Sequence, residues 1–216
     1  MQNEAVTPYI DILAKKKFSL FGKRLFEVII ASLVLIIVLP VFALIAIAIK
    51  LDSKGAVFYR QVRVARYNKD FRIFKFRTMV SDADKKGSQI TVGGDSRITR
   101  VGKFLRITRL DEFPQMMNIL IGDMSLVGPR PEVRRYVEHY TPEQMATLLI
   151  RPGVTGTASI VFKDENDMLT ASENPETTYI EEILPIKMGI NLQYVKELSF
   201  FGDIWIVLKT IACVFR

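Results

Sequence analysis

Apolar positions are laid out along this chain in three patterns, and each predicts a different element. The first is an unbroken run. Residues 28–49 carry no charge and are rich in Ile, Leu, Val and Ala. As a helix rising about 1.5 Å per residue, 22 residues reach roughly 33 Å, enough to cross a hydrocarbon core of about 30 Å. In lipid only a helix satisfies its own backbone within one segment. Pro40 stands inside the run and removes a helical hydrogen bond, which predicts a kink. Lys15, Lys16, Lys17, Lys23 and Arg24 precede the run; Lys50, Lys54, Arg60, Arg63, Arg66 and Lys69 follow it. Flanking Lys and Arg are retained on the cytoplasmic side, so like charge at both ends favours a kinked helix that enters and leaves by one face. A single tilted helix crossing the bilayer remains open. A cleaved signal peptide ending at Ala46-Ile47-Ala48 fits less well, because the run is longer than an h-region of about 7–15 residues.

The second pattern is strand-like. Val57, Tyr59 and Val62, then Phe71, Ile73 and Phe76, predict a β-hairpin within residues 56–79, with its turn at Arg66-Tyr67-Asn68-Lys69. The third pattern recurs at helical spacing. It predicts helices over 97–110, with Val101, Phe104, Leu105 and Leu110 on the apolar side, and over 113–121, ended by Gly122. Further helices are predicted over 132–149, interrupted at Thr141-Pro142, over 191–197 and over 204–215. The last holds Trp205 and Phe215 and fits either a membrane interface or the buried core. Residues 81–94, with Gly87, Gly93 and Gly94, read as a loop. The outline is an α/β chain in three parts. A cationic interfacial segment spans 1–24, a proline-kinked re-entrant membrane helix spans 25–50, and a small helix-rich domain with a short β-hairpin spans 51–216.

Composition changes this picture in two ways. At 216 residues and 49% apolar, the chain suffices for one domain with a core, which excludes intrinsic disorder. Its net charge of +7 points to an anionic partner: nucleic acid, a phosphorylated metabolite or an acidic lipid surface. The charge is uneven. Residues 164–182 hold seven acids and no Lys or Arg, and read as a solvated loop. One cysteine, Cys213, excludes an internal disulfide framework and a cysteine-rich zinc site. One histidine, His139, argues against a histidine-built metal centre and reads as a surface or structural residue. There is no P-loop and no strand-borne GxGxxG.

Two strings carry candidate chemistry. Arg97, Arg100, Lys103, Arg106 and Arg109 recur every three residues, a spiralling cationic stripe that is a solvated or lipid-facing surface for most of its length. It ends at Leu110-Asp111-Glu112-Phe113-Pro114. Pro114 belongs in a first helical turn, which puts Asp111 and Glu112 at a helix N-terminus. There Asp111 either caps the helix, or stays ionised beside Arg106 and Arg109 as a nucleophile or metal ligand must. The second string is Gly122-Asp123-Met124-Ser125-Leu126-Val127-Gly128-Pro129-Arg130-Pro131. Two prolines hold Arg130 extended, which makes either a rigid surface turn or a stiff mount for a phosphate-binding guanidinium.

Taken together, these strings resemble the bacterial sugar transferase family, the polyprenyl-phosphate phosphoglycosyl transferases. The resemblance rests on residues 95–106, on Leu110-Asp111-Glu112 with Gln115 and Asn118, and on residues 122–131. Phe74-Lys75-Phe76-Arg77-Thr78-Met79, Arg151-Pro152-Gly153-Val154-Thr155-Gly156 and Tyr194-Val195-Lys196 extend it from about residue 23 to the end. It implies the small monotopic form, a catalytic unit on the cytosolic face of the bacterial inner membrane. The implied reaction moves a phosphosugar from a UDP-sugar to a polyprenyl (undecaprenyl) phosphate and releases UMP, the first step of a surface polysaccharide or glycoconjugate.

Carried over residue by residue, the resemblance makes Asp111 the nucleophile and Glu112 its partner, with both as ligands of a Mg2+ cofactor. It makes Arg106, Arg130 and Lys75 phosphate-binding residues, and matches Pro40 to the break of a re-entrant helix. The chain departs from the family pattern at Leu39, where Ser is common before the proline. It departs again at Thr157-Ala158-Ser159, where Trp-Ala-Gln is common. The identity of the sugar is therefore not carried over. The implied partners are the UDP-sugar, polyprenyl phosphate and the bilayer, without nucleic acid; a homo-oligomer stays open. The competing classes are a membrane-anchored basic binding module without catalysis and a structural scaffold.

Overall fold

The computed structural model describes residues 3–83 and 95–214. A 3-10 turn, Glu4–Val6, leads into helix α1, Thr7–Lys15, and then into helix α2, Lys17–Asp52. α2 is long and apolar enough to cross a membrane and continues through Pro40. It starts well before the expected boundary at residue 25, because the charges there find partners instead of ending the helix. Lys23 and Glu27 are buried. Lys23 Nζ pairs with Asp203, lies 3.2 Å from Glu27 Oε1 and donates to Val127 O at 2.8 Å. Glu27 accepts from Ser125 Oγ and, at 2.9 Å, from Leu126 N; Tyr194 OH donates to Asp203 Oδ1 at 2.8 Å. Removing one member of such a cluster leaves a buried charge uncompensated. Lys23→Met is expected to cost roughly 3–5 kcal/mol, read as a fall in melting temperature in detergent. An unchanged melting temperature would contradict the cluster's role.

The hairpin forms where expected. Strands β1, Phe58–Val64, and β2, Asp70–Phe76, pair antiparallel, with Phe58 opposite Phe76 and Gln61 opposite Ile73. Tyr67 and Asn68 supply the two left-handed residues of the turn, at φ 62° and 60°. Helix α3, Arg100–Ile107, is capped by Thr99 Oγ1, which accepts from Gly102 N at 3.0 Å. Gly102 lets α3 seat on the end of the hairpin, since a Cβ there would lie 2.0 Å from Thr78 O. Helix α4, Gln115–Ile121, stops at Gly122, whose φ of 104° suits a residue without a Cβ.

Two three-residue strands, β3 (Ser125–Val127) and β4 (Gly153–Thr155), pair in parallel. Nothing in the apolar pattern predicts them, and β4 lies beside Arg130, whose Nη1 is 3.5 Å from Val154 O. The interruption expected at Thr141-Pro142 within 132–149 is present, but the helix on either side of it is shorter than expected. A single turn, α5 (Arg134–Val137), precedes it and a separate 3-10 segment, Gln144–Leu149, follows, because the chain turns at Thr141-Pro142. The solvated loop expected over 164–182 is likewise corrected. After α6 (Thr157–Val161) come α7 (Glu165–Thr170), α8 (Pro175–Thr178) and a π-helical turn, Tyr179–Ile183. Two of the seven acids have distant cationic partners, Glu165 bonding Lys187 at 2.9 Å and Glu176 pairing with Arg135, and the other five are exposed.

α9 (Leu184–Glu197) begins earlier than the predicted 191, and α10 (Phe200–Val214) closes the described chain. Phe215 and most of the predicted loop over 81–94 lie outside the described residues. Trp205, Phe201, Leu208 and Ile211 on α10 are exposed, as is His139.

The core has several parts. Three of them, one through Leu20, include α2. Its N-terminal half packs Ala31, Val34 and Leu35 against Phe71, Ile73, Met116 and Ile119. Its C-terminal half packs Phe42, Ile45 and Ile49 against Phe76 and Leu105. Between them, from Ile36 to Val41, no side chain is buried.

Candidate active site

Asp111 lies in a 3-10 turn, Leu110–Glu112, between α3 and α4. Arg109 ahead of it takes left-handed backbone, φ 57°, and swings the chain from one helix to the next. Leu110 packs with Ile45, Ile49, Phe76 and Leu105, so the turn is fastened to β2 and to the C-terminal half of α2. Asp111 itself is buried, at 9% exposure, yet makes no hydrogen bond or ion pair among the described residues. The capping role left open by the sequence is therefore not the one it plays here.

Glu112 is engaged on both oxygens. Lys75 Nζ, from β2, reaches Oε1 at 2.7 Å. The Arg130 guanidinium grips the same carboxylate in a fork, Nη2 on Oε1 and Nη1 at 3.3 Å from Oε2. Arg106, from α3, is held by Thr78 Oγ1, which accepts from its Nε at 2.9 Å. The structure thus brings Asp111, Glu112, Lys75, Arg106 and Arg130 into one electrostatic group. Arg100, Lys103 and Arg109 face outward and are exposed, while Arg97 pairs with Asp95 at 2.6 Å.

The two acids titrate in opposite directions. Burial pushes the Asp111 carboxyl up and the Glu112 charge adds to this, outweighing the pull of Lys75, Arg106 and Arg130. Arg106 favours the ionised form of Asp111, as expected, but burial is the larger effect, and Arg109 is exposed. Burial acts upward on Glu112 too, but the charges and hydrogen bonds of Arg130 and Lys75 overcome it and hold the carboxyl far below the usual range. Burial lowers Lys75 against the pull of Glu112, and Glu112 raises Arg130.

Two supporting residues, Asn118 and Arg77, gain their roles only from the fold. Asn118, fully buried, accepts from Phe74 N at 2.8 Å through Oδ1 and donates to Arg72 O at 3.0 Å through Nδ2, which anchors α4 to β2. Arg77 donates to Ser53 O at 2.7 Å and Lys54 O at 2.9 Å and so caps the end of α2. The available signal was Glu112, Gln115 and Asn118 at every third position of an apolar helix, which makes a polar stripe on one face.

No group of three or more His, Cys, Asp or Glu fit to hold a metal occurs among the described residues. Mg2+ commonly takes one or two carboxylates and completes its shell with water and phosphate oxygens. Asp111, open on its carboxylate, fits that donor set; Glu112 would first have to release Lys75 or Arg130.

One open carboxylate ringed by lysine and arginine, beside an apolar helix of membrane length, defines a membrane-associated site suited to phosphate esters. The chain belongs to the bacterial sugar transferase family, whose model matches residues 18–216. It is 38% identical over 197 residues to a UDP-N-acetylgalactosamine-undecaprenyl-phosphate N-acetylgalactosaminephosphotransferase of Aeromonas hydrophila, covering 90% of this chain and 44% of that protein. To a UDP-glucose:undecaprenyl-phosphate glucose-1-phosphate transferase of Klebsiella pneumoniae it is 39% identical over 194 residues, 88% of this chain and 39% of the relative. To the exopolysaccharide production protein ExoY of Rhizobium meliloti it is 34% identical over 208 residues, 89% and 85% of the two chains. The chain spans less than half the length of the first two of these curated relatives.

Proposed function

We propose that this chain transfers a phosphosugar from a UDP-sugar to polyprenyl phosphate at the cytosolic face of a bacterial inner membrane, releasing UMP. The observation that carries the reading is the contrast within the acid pair: Asp111 buried and unbonded, Glu112 locked between Lys75 and Arg130. A nucleophile needs a free oxygen, and phosphate groups need cations already gathered. An Asp111 oxygen attacks the sugar-bearing phosphorus. The bond from that phosphorus to the UMP oxygen breaks, and UMP leaves with the electron pair. The acceptor phosphate then attacks the same phosphorus, breaks its bond to Asp111 and restores the carboxylate. Lys75, Arg106 and Arg130 bind the diphosphate, and Glu112 stores the first and last of these until substrate arrives. Mg2+ bound at Asp111 would neutralise phosphate charge. The names of the relatives support the donor and acceptor classes.

Both halves of α2 are clamped to the same domain. Lys16 Nζ donates to Lys196 O at 2.7 Å near its start, and Asp52 Oδ2 accepts from Val101 N at 2.9 Å at its end. A straight helix over that length would span about 54 Å at 1.5 Å per residue. It would also drag a charged domain through the hydrocarbon. Entry and exit on one face, with the unburied stretch around Pro40 as the deepest part, avoids that cost. In a Cys213→Ser background, Asp11→Cys and Ala56→Cys are expected to react with an impermeant thiol reagent from one and the same side of sealed vesicles; labelling from opposite sides would show a spanning helix.

A basic binding module fits less well, because Lys75 and Arg130 turn inward onto Glu112 rather than forming an outward patch. The test is a panel of UDP-sugars with polyprenyl phosphate and Mg2+, reading UMP: release with one or more sugars supports transfer, and binding without release supports the module.

A further inference from the structure

Gln115 is 1% exposed, and neither its Oε1 nor its Nε2 has a hydrogen-bond partner. A buried, unbonded amide costs about 1–3 kcal/mol, and an apolar side chain of the same shape would avoid it. Four residues earlier stands Asp111, also buried, whose carboxylate likewise has no hydrogen bond or ion pair among the described residues. Phe113 (φ −57°, ψ −33°) and Pro114 (φ −60°, ψ −14°) keep the backbone right-handed helical between them. At that spacing the two side chains share a helix face. A buried, unbonded amide and a carboxylate without a protein partner thus lie one turn apart, beside the Glu112 carboxylate that is already fully used.

We infer that Gln115 is a positioning residue for Asp111: in the working enzyme its Nε2–H donates to one carboxylate oxygen and leaves the other aimed at phosphorus. The assignment rests on the reading of Asp111 as nucleophile. It explains why an amide is kept where Met or Leu would pack without penalty. The neighbours on the same stripe are already spoken for, Glu112 by Lys75 and Arg130, and Asn118 by the β2 backbone. Misorienting a reacting group can cost on the order of a hundredfold in rate without changing what binds.

The test uses the full chain in detergent or nanodiscs with Gln115→Met and Gln115→Glu, both close in shape to the amide. Gln115→Met removes the donor; Gln115→Glu sets a second carboxylate against the first. For Gln115→Met the expected result is a melting temperature equal to or above that of the parent. Its kcat should fall about tenfold to a hundredfold, while KM for the UDP-sugar stays within twofold. Gln115→Glu should be at least as impaired. A structural role alone predicts the opposite for Gln115→Met, full turnover with equal or better stability, and that outcome overturns the inference. Asp111→Asn, assayed alongside, separates the two claims. If it is inactive while Gln115→Met is fully active, only the positioning role fails. If Asp111→Asn turns over normally, the nucleophile assignment fails and takes this one with it.

Discussion

Asp111→Asn is expected to lose turnover by at least about a thousandfold while the protein stays in the membrane fraction. The size of the effect follows from the role: an amide oxygen cannot form the acyl phosphate, and loss of a covalent nucleophile removes a whole reaction path. The stability outcome is just as specific. Burial raises the Asp111 carboxyl in the folded chain, so its ionised form is disfavoured there relative to the unfolded chain. For an acid shifted in this direction, stability is lost as pH rises from the unfolded value through the folded one. At neutral pH the neutral amide avoids that loss, so the variant should melt at the same temperature or higher. UMP release and a melting curve on one preparation check both halves. Dead and destabilised would instead mean that the carboxylate holds the fold.

Arg130→Ala should lower kcat/KM about a hundredfold to a thousandfold, and Arg130→Lys should recover little of it. The guanidinium presents two parallel donors on a backbone held by Pro129 and Pro131, and an ammonium offers one point charge on a flexible stem. Stability moves the other way from Asp111→Asn. Arg130 and Lys75 depress the Glu112 carboxyl, so this group stabilises the fold above its unfolded value near 4.3, and that contribution fades as pH falls. Arg130→Ala should therefore melt lower than the parent at pH 7. The gap should close as the pH is taken well below 4. A gap that widens in acid would contradict the pairing.

Local signals in the sequence were enough for α2, the hairpin, α3 and α4. Each announces itself within its own residues: an uncharged run, two β-rich runs around a turn, an apolar side with a cap, a glycine stop. What escaped is held by partners far along the chain. Lys23 and Glu27 look like flanking charges until Asp203 and Ser125 close around them. Glu165 and Glu176 look solvated until Lys187 and Arg135 are placed beside them. β3 and β4 are too short to leave a periodic trace, and they join residues on opposite sides of the 132–149 segment.

The site followed the same division. Asp111, Glu112 and Arg130 stand out by their neighbours in sequence, and the family resemblance added Lys75 and Arg106. Which acid is bound and which is free, and the unbonded amide of Gln115, depend on three-dimensional placement that no spacing reveals.

The account turns on whether Asp111 carries the phosphosugar. The most direct measurement is a rapid quench of the full chain with a UDP-sugar labelled in its sugar phosphate, without acceptor, followed by mass analysis of the peptide containing Asp111. The account predicts a hexose-phosphate adduct on Asp111, up to one UMP released per chain, and discharge of the adduct when polyprenyl phosphate is added. No adduct, with UMP appearing only when donor and acceptor are present together, would contradict it.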